Sequence, residues 1–468
     1  MLSVSRSLPD RLTRRELLRV GGLSLFGMNL PHILKAAERS TVETPARAKS
    51  VILFNLLGGP SHMDMFDMKP EAPLEIRGEF SPIETSVPGL SICELLPNTA
   101  KRMHNATLIR TISHTYNSHD PLAIMTGFTD ANPQLQAQPT DPPDIGAICQ
   151  YVGLAPNDVP GAVCLPCYPG WGENYRRGGP YGGFLGSQYD PMFSFCAPKF
   201  DREPKMRYYD PVLPIGEPFL PGVDQLDNVS SGRLSGRRSL LQQIDDVFRT
   251  VHDAKGTARL EKYQQRAFSM LTSSKVRDAF DLSQEKDITR DTYGRNLYGS
   301  SLLVARRLVE VGVPFISVHQ EIFQHYGHAY DMHENNFSML RNINLPILDQ
   351  VYPALIDDLK ARGLLDSTLV IVMGEMGRTP RINGRAGRDH WPQCGFSLLT
   401  GGGVKSGMVY GSTDKIGAYP ANQPVHPADL VATIYRLLGI DPHLIVHDRL
   451  GRPHEIARGG EPIAGILA

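Results

Sequence analysis

Short runs of consecutive apolar residues recur along the chain, and stretches with helical periodicity separate several of them. The apolar runs lie at residues 51–57, 106–112, 313–318, 368–373 and 396–400. Runs of this length are typical of strands buried on both faces of a sheet. Residues 340–359 show the helical pattern, with apolar side chains at three- and four-residue steps, and Arg362-Gly363 ends it. The alternation predicts an α/β fold with a largely parallel sheet and helices on both faces.

Residues 129–235 interrupt this alternation. They are rich in Pro, Gly, Tyr and Asp, and seven glycines lie between Tyr168 and Tyr189. The aromatic residues of this segment favour a layer of packed loops. We therefore predict one large domain at residues 49–468 that carries a Pro/Gly-rich insertion at about 129–235.

The N-terminus has the pattern of a targeting segment. Basic residues around Arg14-Arg15 precede a short apolar, Gly-containing run at Val20–Leu30, which is typical of a signal peptide. The paired arginines resemble a twin-arginine export signal. We predict that residues 1–40 direct export through the twin-arginine machinery to the periplasm or the outside of the cell. Retention of the segment as a membrane anchor and an amphipathic surface helix are the alternatives.

Charge and cysteine content exclude several classes of protein. The chain has 48 Lys+Arg, 49 Asp+Glu and a net charge of -1, which argues against nucleic acid as a partner. Without residues 1–37 the net charge is -5. Six cysteines in 468 residues do not make a small disulfide scaffold. Cys164 and Cys167 are expected to form a local disulfide or to be two unrelated thiols, because a zinc site needs a second pair.

Four polar clusters follow four of the predicted strands. Ligands of such sheets bind beyond the carboxyl ends of the strands, so these clusters are candidate site residues. They comprise His62 and Asp64; His114, Ser118, His119 and Asp120; His319, His325, His328, Asp331 and His333; and Glu375, Arg378, Arg388, Asp389 and His390. Imidazole and carboxylate together suit zinc, iron or manganese. The two arginines either bind an oxyanion or neutralise neighbouring carboxylates.

Five motifs carry a family resemblance: GGPSHMDMFD, NSHDPLAIMTG, YDMHENNF, GEMGRTPRIN and GRDHWP. From about Lys49 onward they resemble an exported bacterial family, domain of unknown function fifteen hundred and one. That family in turn looks like a distant branch of the alkaline phosphatase/sulfatase superfamily, whose members hold one or two metals at the carboxyl edge of the sheet. The resemblance implies that the metal ligands are Asp64, Asp331, His333, Glu375 and His390.

Two positions depart from the superfamily pattern. Sulfatases carry a Cys-x-Pro-x-Arg motif whose cysteine becomes the catalytic aldehyde, and Asn117 occupies the corresponding position here. Asn117 is no nucleophile, although the adjacent Ser118 could supply a hydroxyl. Met376 stands where the superfamily has a histidine ligand. One metal site is therefore lost, or His62, His119 or Asp389 substitutes.

The expected function is metal-dependent hydrolysis of phosphate or sulfate esters of a small molecule or glycan outside the cytoplasm. A divalent metal (Zn, Mn, Ca or Mg) would polarise the ester, and Arg378 and Arg388 would steady its charge. A metal-bound water or Ser118 would attack. The alternative is a catalytically inactive exported protein that binds metal or glycan, favoured by Asn117 and Met376. A dinucleotide enzyme is a weak third reading, because Gly58-Gly59-Pro60 lacks the required glycine spacing.

Overall fold

The computed structural model describes residues 46–130, 135–156, 158–206, 209–220, 274–321 and 329–468. The predicted signal segment 1–40, as well as His325 and His328, lies outside the described residues. Among the residues that are described, no helix is both long and apolar enough to cross a membrane.

Eight strands form one sheet. They are β1 Ser50–Asn55, β2 Ala106–Ile112, β3 Ala162–Leu165, β4 Met192–Phe193, β5 Phe315–His319, β6 Thr368–Met373, β7 Gly395–Thr400 and β8 Met408–Tyr410. Their spatial order is β8-β2-β7-β6-β1-β5-β3-β4. All neighbouring pairs are parallel except those of β7, which runs antiparallel to both β6 and β2. The prediction of a largely parallel sheet is confirmed.

Helices and short ribbons surround this sheet. The described helices are α1 His62–Met65, α2 Leu74–Arg77, α3 Pro97–Ala100, α4 Leu122–Thr126, α5 Ile145–Val152, α6 Ser274–Phe280, α7 Asp287–Tyr293, α8 Leu297–Glu310, α9 Asn336–Met339, α10 Leu345–Ala361 and α11 Pro427–Leu437. A π-helical turn at Leu340–Asn344 joins α9 to α10. Two-stranded ribbons pair Pro82–Glu84 with Ser91–Cys93, Lys199–Phe200 with Pro214–Ile215, Gly377–Arg378 with His390–Trp391, Ser412–Thr413 with Pro420–Asn422, and Ile445–His447 with Pro453–Glu455.

The hydrophobic core lies on both faces of the sheet, because successive strand residues point to opposite sides. In β1, Ile52 and Phe54 pack into one cluster together with residues of α8 and α10. Val51 and Leu53 pack into a second cluster with residues of α5 and α11. This two-sided burial explains why the strands are continuously apolar and confirms the prediction of helices on both faces.

The segment expected as an insertion contributes to the sheet itself. Its described part supplies α5 and the strands β3 and β4, which extend the sheet beyond β5. β3 has four residues and β4 has two, too few to show a periodic pattern. Cys164 and Cys167 are free thiols, and the Cys164 thiol donates to the Cys167 carbonyl over 3.3 Å.

The antiparallel strand β7 matters for the site. Since β7 runs against its neighbours, the residues that precede it lie at the edge where β2, β6, β1 and β5 end. The ribbon containing His390 therefore joins the loops that follow those strands.

Candidate metal centre

Four side chains meet at this edge of the sheet. His119, Asp331, His333 and His390 each offer one ligand atom, and these atoms lie within 4.8 Å of one another. His119 lies between β2 and α4, Asp331 and His333 lie between β5 and α9, and His390 precedes β7. All four are partly exposed, so the cluster can be reached from solvent.

One carboxylate oxygen is the common point of the cluster. Oδ1 of Asp331 lies 3.1 Å from Nε2 of His119, 3.1 Å from Nε2 of His333 and 3.5 Å from Nε2 of His390. The Nε2 atoms of His333 and His390 are 3.0 Å apart. The three rings thus turn the same nitrogen toward one small volume.

The other nitrogen of each ring has an oxygen partner. Nδ1 of His119 lies 3.0 Å from Oε1 of Glu375. Nδ1 of His333 lies 2.7 Å from Oδ1 of Asp389, and Nδ1 of His390 lies 2.9 Å from Oδ1 of Asn117. These oxygens only accept hydrogen bonds, so each Nδ1 is the donor. A neutral imidazole has one such proton, and each Nε2 then presents its lone pair. Metal-binding histidines in proteins are typically held in this way.

The donor set fits a divalent cation. Nε2 of His119 is buried and forms no hydrogen bond, although Asp331 is only 3.1 Å away. Two lone pairs facing each other over 3.0 Å, as in His333 and His390, repel unless a proton or a cation lies between them. Three imidazole nitrogens and one carboxylate oxygen suit zinc, manganese or iron, whereas calcium and magnesium prefer oxygen ligands.

Electrostatics ties the same groups together. Burial alone would lower the pKa of His119, but the neighbouring carboxylates of Asp331 and Glu375 leave that pKa raised. The carboxylate of Asp331 likewise raises the pKa of His333. Burial would raise the pKa of Asp331, but the three imidazoles outweigh it and hold the pKa well below its usual range. Asp331 thus stays charged, and protons compete with a cation for the histidines.

Arg378, one of the two arginines expected to bind an oxyanion or to neutralise carboxylates, donates its hydrogen bonds to acceptors of the protein itself. Its guanidinium is fully buried and donates to Oδ1 of Asp331 over 2.6 Å, to the Gly59 carbonyl over 2.9 Å and to the Arg388 carbonyl over 3.0 Å. A further hydrogen bond goes to the Gly58 carbonyl. With these partners, Arg378 holds Asp331 in place and does not reach toward a substrate.

Asp64 and Arg388 also depart from the expectation that they serve metal and substrate. Both are buried, and they form two hydrogen bonds of 2.7 Å, Nε to Oδ2 and a terminal nitrogen to Oδ1. Asn336 donates to the same Oδ2 over 2.9 Å. The carboxylate is therefore saturated by a paired guanidinium, and the structure does not bring Asp64 into the cluster.

Three other residues expected as metal ligands or substitutes lie outside the four-residue cluster: Glu375, Asp389 and His62. Oε1 of Glu375 accepts from the Gly58 amide over 2.8 Å as well as from His119, while its Oε2 is buried without a hydrogen-bond partner. Glu375 and Asp389 thus lie behind the histidines as acceptors. His62, expected as a ligand or substitute, is fully buried, and its Nε2 lies 2.8 Å from the Gly417 carbonyl.

The two candidate catalytic residues of the β2–α4 loop face different ways. Asn117 is exposed and accepts from His390, so it borders the cluster. Ser118 is buried and donates to Asp120, which also accepts from the Tyr116 hydroxyl over 3.0 Å. Burial raises the pKa of Asp120 to about 6. The Ser118 hydroxyl is therefore part of a buried network that lies beside the cluster and does not belong to it.

Two glycines allow the loops to close on Asp331 and His333. A Cβ atom on Gly58, whose φ is +106°, would lie 2.3 Å from the Asp331 amide nitrogen. A Cβ on Gly387 would lie 2.0 Å from the His333 carbonyl oxygen. Both contacts are far shorter than any side chain tolerates. The sequence placed His119 in the second polar cluster and as a substitute for the histidine that Met376 replaces, but not among the ligands that the resemblance implies. Its position before Asp120-Pro121, a helix start, was the available signal.

Comparisons with known proteins give a family and several distant structural likenesses. The family model described as "Protein of unknown function (DUF1501)" matches residues 48–467. No curated protein matches significantly. Similar solved structures include PsFucS1 sulfatase from Pseudoalteromonas sp., with 12% identity, 92% of this chain and 72% of that chain covered, and a TM-score of 0.36. The alkaline phosphatase from the Antarctic bacterium TAB5 is 12% identical, with 85% of this chain and 99% of that chain covered and a TM-score of 0.35. The lipoteichoic acid synthase LtaP from Listeria monocytogenes is 11% identical, with 90% of this chain and 80% of that chain covered and a TM-score of 0.35.

The buried Asp64–Arg388 pair gives a stability prediction. Arg388→Met leaves a buried carboxylate without its partner, so we expect a loss of about 3–5 kcal/mol in the free energy of unfolding, measured by urea denaturation. Arg341→Met is the matched control, because Arg341 pairs with Glu79 at the surface and such pairs contribute about 0–1 kcal/mol. Equal losses in the two variants would contradict the structural role of Arg388.

Proposed function

The chain belongs to the family described as "Protein of unknown function (DUF1501)", and from this premise and the geometry of the cluster we propose that it is an exported, metal-dependent hydrolase of phosphate or sulfate esters. The observation that carries the proposal is the arrangement of His119, His333 and His390. Each ring is fixed at Nδ1 by an acceptor oxygen, and each turns Nε2 toward Oδ1 of Asp331.

The roles of the side chains follow from their contacts. His119, Asp331, His333 and His390 would hold one cation of the zinc, manganese or iron type. A cation of this kind polarises an ester oxygen and lowers the pKa of a water molecule. Glu375, Asp389 and Asn117 keep the three rings in the required tautomer, and Arg378 keeps Asp331 oriented. Since the Ser118 hydroxyl is buried and lies outside the four-residue cluster, we assign the attack to water.

The ester class and the location rest on the sequence. The motifs NSHDPLAIMTG, YDMHENNF and GRDHWP contain all four cluster residues. They resemble those of the domain of unknown function family, which in turn looks like a distant branch of the alkaline phosphatase/sulfatase superfamily. Location outside the cytoplasm is proposed from Arg14-Arg15 and the apolar run that follows. A small-molecule or glycan ester is the proposed substrate.

An inactive metal- or glycan-binding protein is the second candidate. Asn117 at the nucleophile position and the engagement of Arg378 and Arg388 with protein acceptors favour it. The two candidates agree on metal binding and differ in turnover, so metal affinity and activity are measured separately.

Metal affinity tests the centre directly. We expect the wild-type protein to bind one divalent cation per chain and His333→Ala to lose more than about 100-fold in affinity, because removal of an outer hydrogen-bond partner alone typically costs about 10–100-fold. Chelator competition gives the dissociation constants. At a metal concentration 100 times the dissociation constant, binding adds about 2.7 kcal/mol to the free energy of unfolding. Affinity should fall with decreasing pH, since protons compete for the histidines.

His104→Ala is the control for this measurement. His104 is exposed and precedes β2, at the opposite edge of the sheet. The metal affinity of His104→Ala should therefore equal that of the wild-type protein. Absence of metal from the wild-type protein, or an unchanged dissociation constant in His333→Ala, would reject the proposed centre.

Activity separates the two candidate functions. With zinc or manganese, we expect hydrolysis of aryl phosphates or aryl sulfates that chelators and His390→Ala abolish, measured by release of the chromogenic alcohol. Ser118→Ala should retain most of this activity because water attacks; its complete loss would make Ser118 the nucleophile. A metal-loaded protein without turnover on a broad ester panel would support the binding protein instead.

Export is tested with a reporter. Residues 1–40 fused to a folded reporter should carry it across the membrane, and Arg14→Lys/Arg15→Lys should stop this transport, as measured by cell fractionation. The single change Lys35→Arg keeps the charge outside the paired arginines and is the control. Transport that persists in the double variant would exclude a twin-arginine signal.

A further inference from the structure

The glycine-rich part of the 129–235 segment lies directly against the loop that carries His119. The Arg177 guanidinium donates to the His119 carbonyl over 3.1 Å. A Cβ on Gly178 would lie 3.4 Å from Oδ1 of Asp120, and one on Gly179 would lie 2.7 Å from the ring of Pro121. Residues 177–179 thus run alongside residues 119–121, one residue against one. The close approach requires glycine at position 179, whose φ is +133°.

Arg177 is buried, and both its side chain and its main chain form hydrogen bonds within this part of the protein. It is 3% exposed, and its second terminal nitrogen donates to Glu173. Its amide donates to the Pro169 carbonyl over 2.9 Å, and the Gly170 amide donates to Glu321 over 3.1 Å. Because Glu321 follows β5 by two residues, this loop is tied both to the end of β5 and to the loop after β2.

His119 has little freedom to move without losing a contact. Its Nδ1 must stay within reach of Glu375 and its Nε2 within reach of Asp331, at 3.0 Å and 3.1 Å. These two partners lie on opposite sides of one ring, so a shift of the backbone lengthens one contact or both. A displacement of about 0.5 Å is enough to lose a productive site geometry.

We propose that Arg177 is a positioning residue of the metal centre, which fixes the main chain at His119 and thereby aims its Nε2 at the position of the cation. This inference rests on the proposed function, because it assumes that the four-residue cluster binds metal. It assigns a role in the site to a segment that lies outside the motifs of the centre.

Arg176 offers a matched control one residue away. Its guanidinium lies 5.3 Å from the ring centre of Tyr168 and 5.7 Å from that of Phe193. Arg176 is exposed, and the described contacts of its guanidinium are with aromatic rings. Arg176→Met therefore removes the same charge from the same loop and leaves the hydrogen bond to the His119 carbonyl intact.

The test compares Arg177→Met, Arg177→Lys and Arg176→Met with the wild-type full-length protein. We expect zinc affinity, measured by chelator competition, to fall about 10–100-fold in Arg177→Met, as for other outer-shell partners of ligating histidines. Arg177→Lys should recover part of the loss, since lysine can donate to the same carbonyl. The visible absorption of the cobalt-substituted protein should change in Arg177→Met and remain that of the wild type in Arg176→Met.

The outcomes are distinct. Equal zinc affinity and equal cobalt spectra in Arg177→Met and wild type overturn the inference while leaving the proposed metal centre in place. Equal losses in Arg176→Met and Arg177→Met also overturn it, because the effect would then come from charge or loop stability. If Arg177→Met does not fold, zinc affinity and the cobalt spectrum are compared between Arg177→Lys and Arg176→Met. A change in Arg177→Lys alone supports the inference, and equal results in the two variants overturn it. A wild-type protein that binds no metal rejects the proposed function and this inference together.

Discussion

A single carboxylate oxygen organises the carboxyl edge of this sheet. Oδ1 of Asp331 lies within 3.5 Å of three imidazole nitrogens and accepts a hydrogen bond from Arg378. These partners come from the loop after β2, the loop after β5 and the ribbon between β6 and β7. Asp331 therefore links, at one point, chain segments that the sheet brings to the same edge, and the outer acceptors Glu375, Asp389 and Asn117 complete the orientation of the rings.

Buried arginines act as tethers around this point. Besides its pair with Asp64, Arg388 donates to the Ile76 carbonyl over 2.8 Å and to the Thr379 carbonyl over 3.2 Å. A guanidinium has five donors in a rigid plane, so Arg378 and Arg388 can each join several loops at once. Their positive charge balances buried carboxylates inside the protein. Recognition of an anionic group would consequently fall mainly to the cation itself.

Sequence patterns predicted the parts of the molecule that depend on local periodicity. The five apolar runs correspond to β1, β2, β5, β6 and β7, because strands buried on both faces leave a continuous signal. β3 and β4 are too short to leave one. Asp331, His333 and His390 were among the candidates because they follow or precede predicted strands. The pairing of Asp64 with Arg388 depends on contacts across 324 residues, and no spacing rule reports it. The orientation of Ser118 toward Asp120 is likewise set by burial.

The reversed strand β7 has a consequence for how the protein is made. His119 and Asp331 are separated by 212 positions and His390 lies 59 positions further on, and His390 reaches the edge only when β7 inserts between β6 and β2. Contacts between such distant segments form slowly, because long loops must close first. During synthesis, a nascent chain still lacking β7 has no complete ligand set. A cation held by all four side chains would therefore report that β7 has taken its place between β6 and β2.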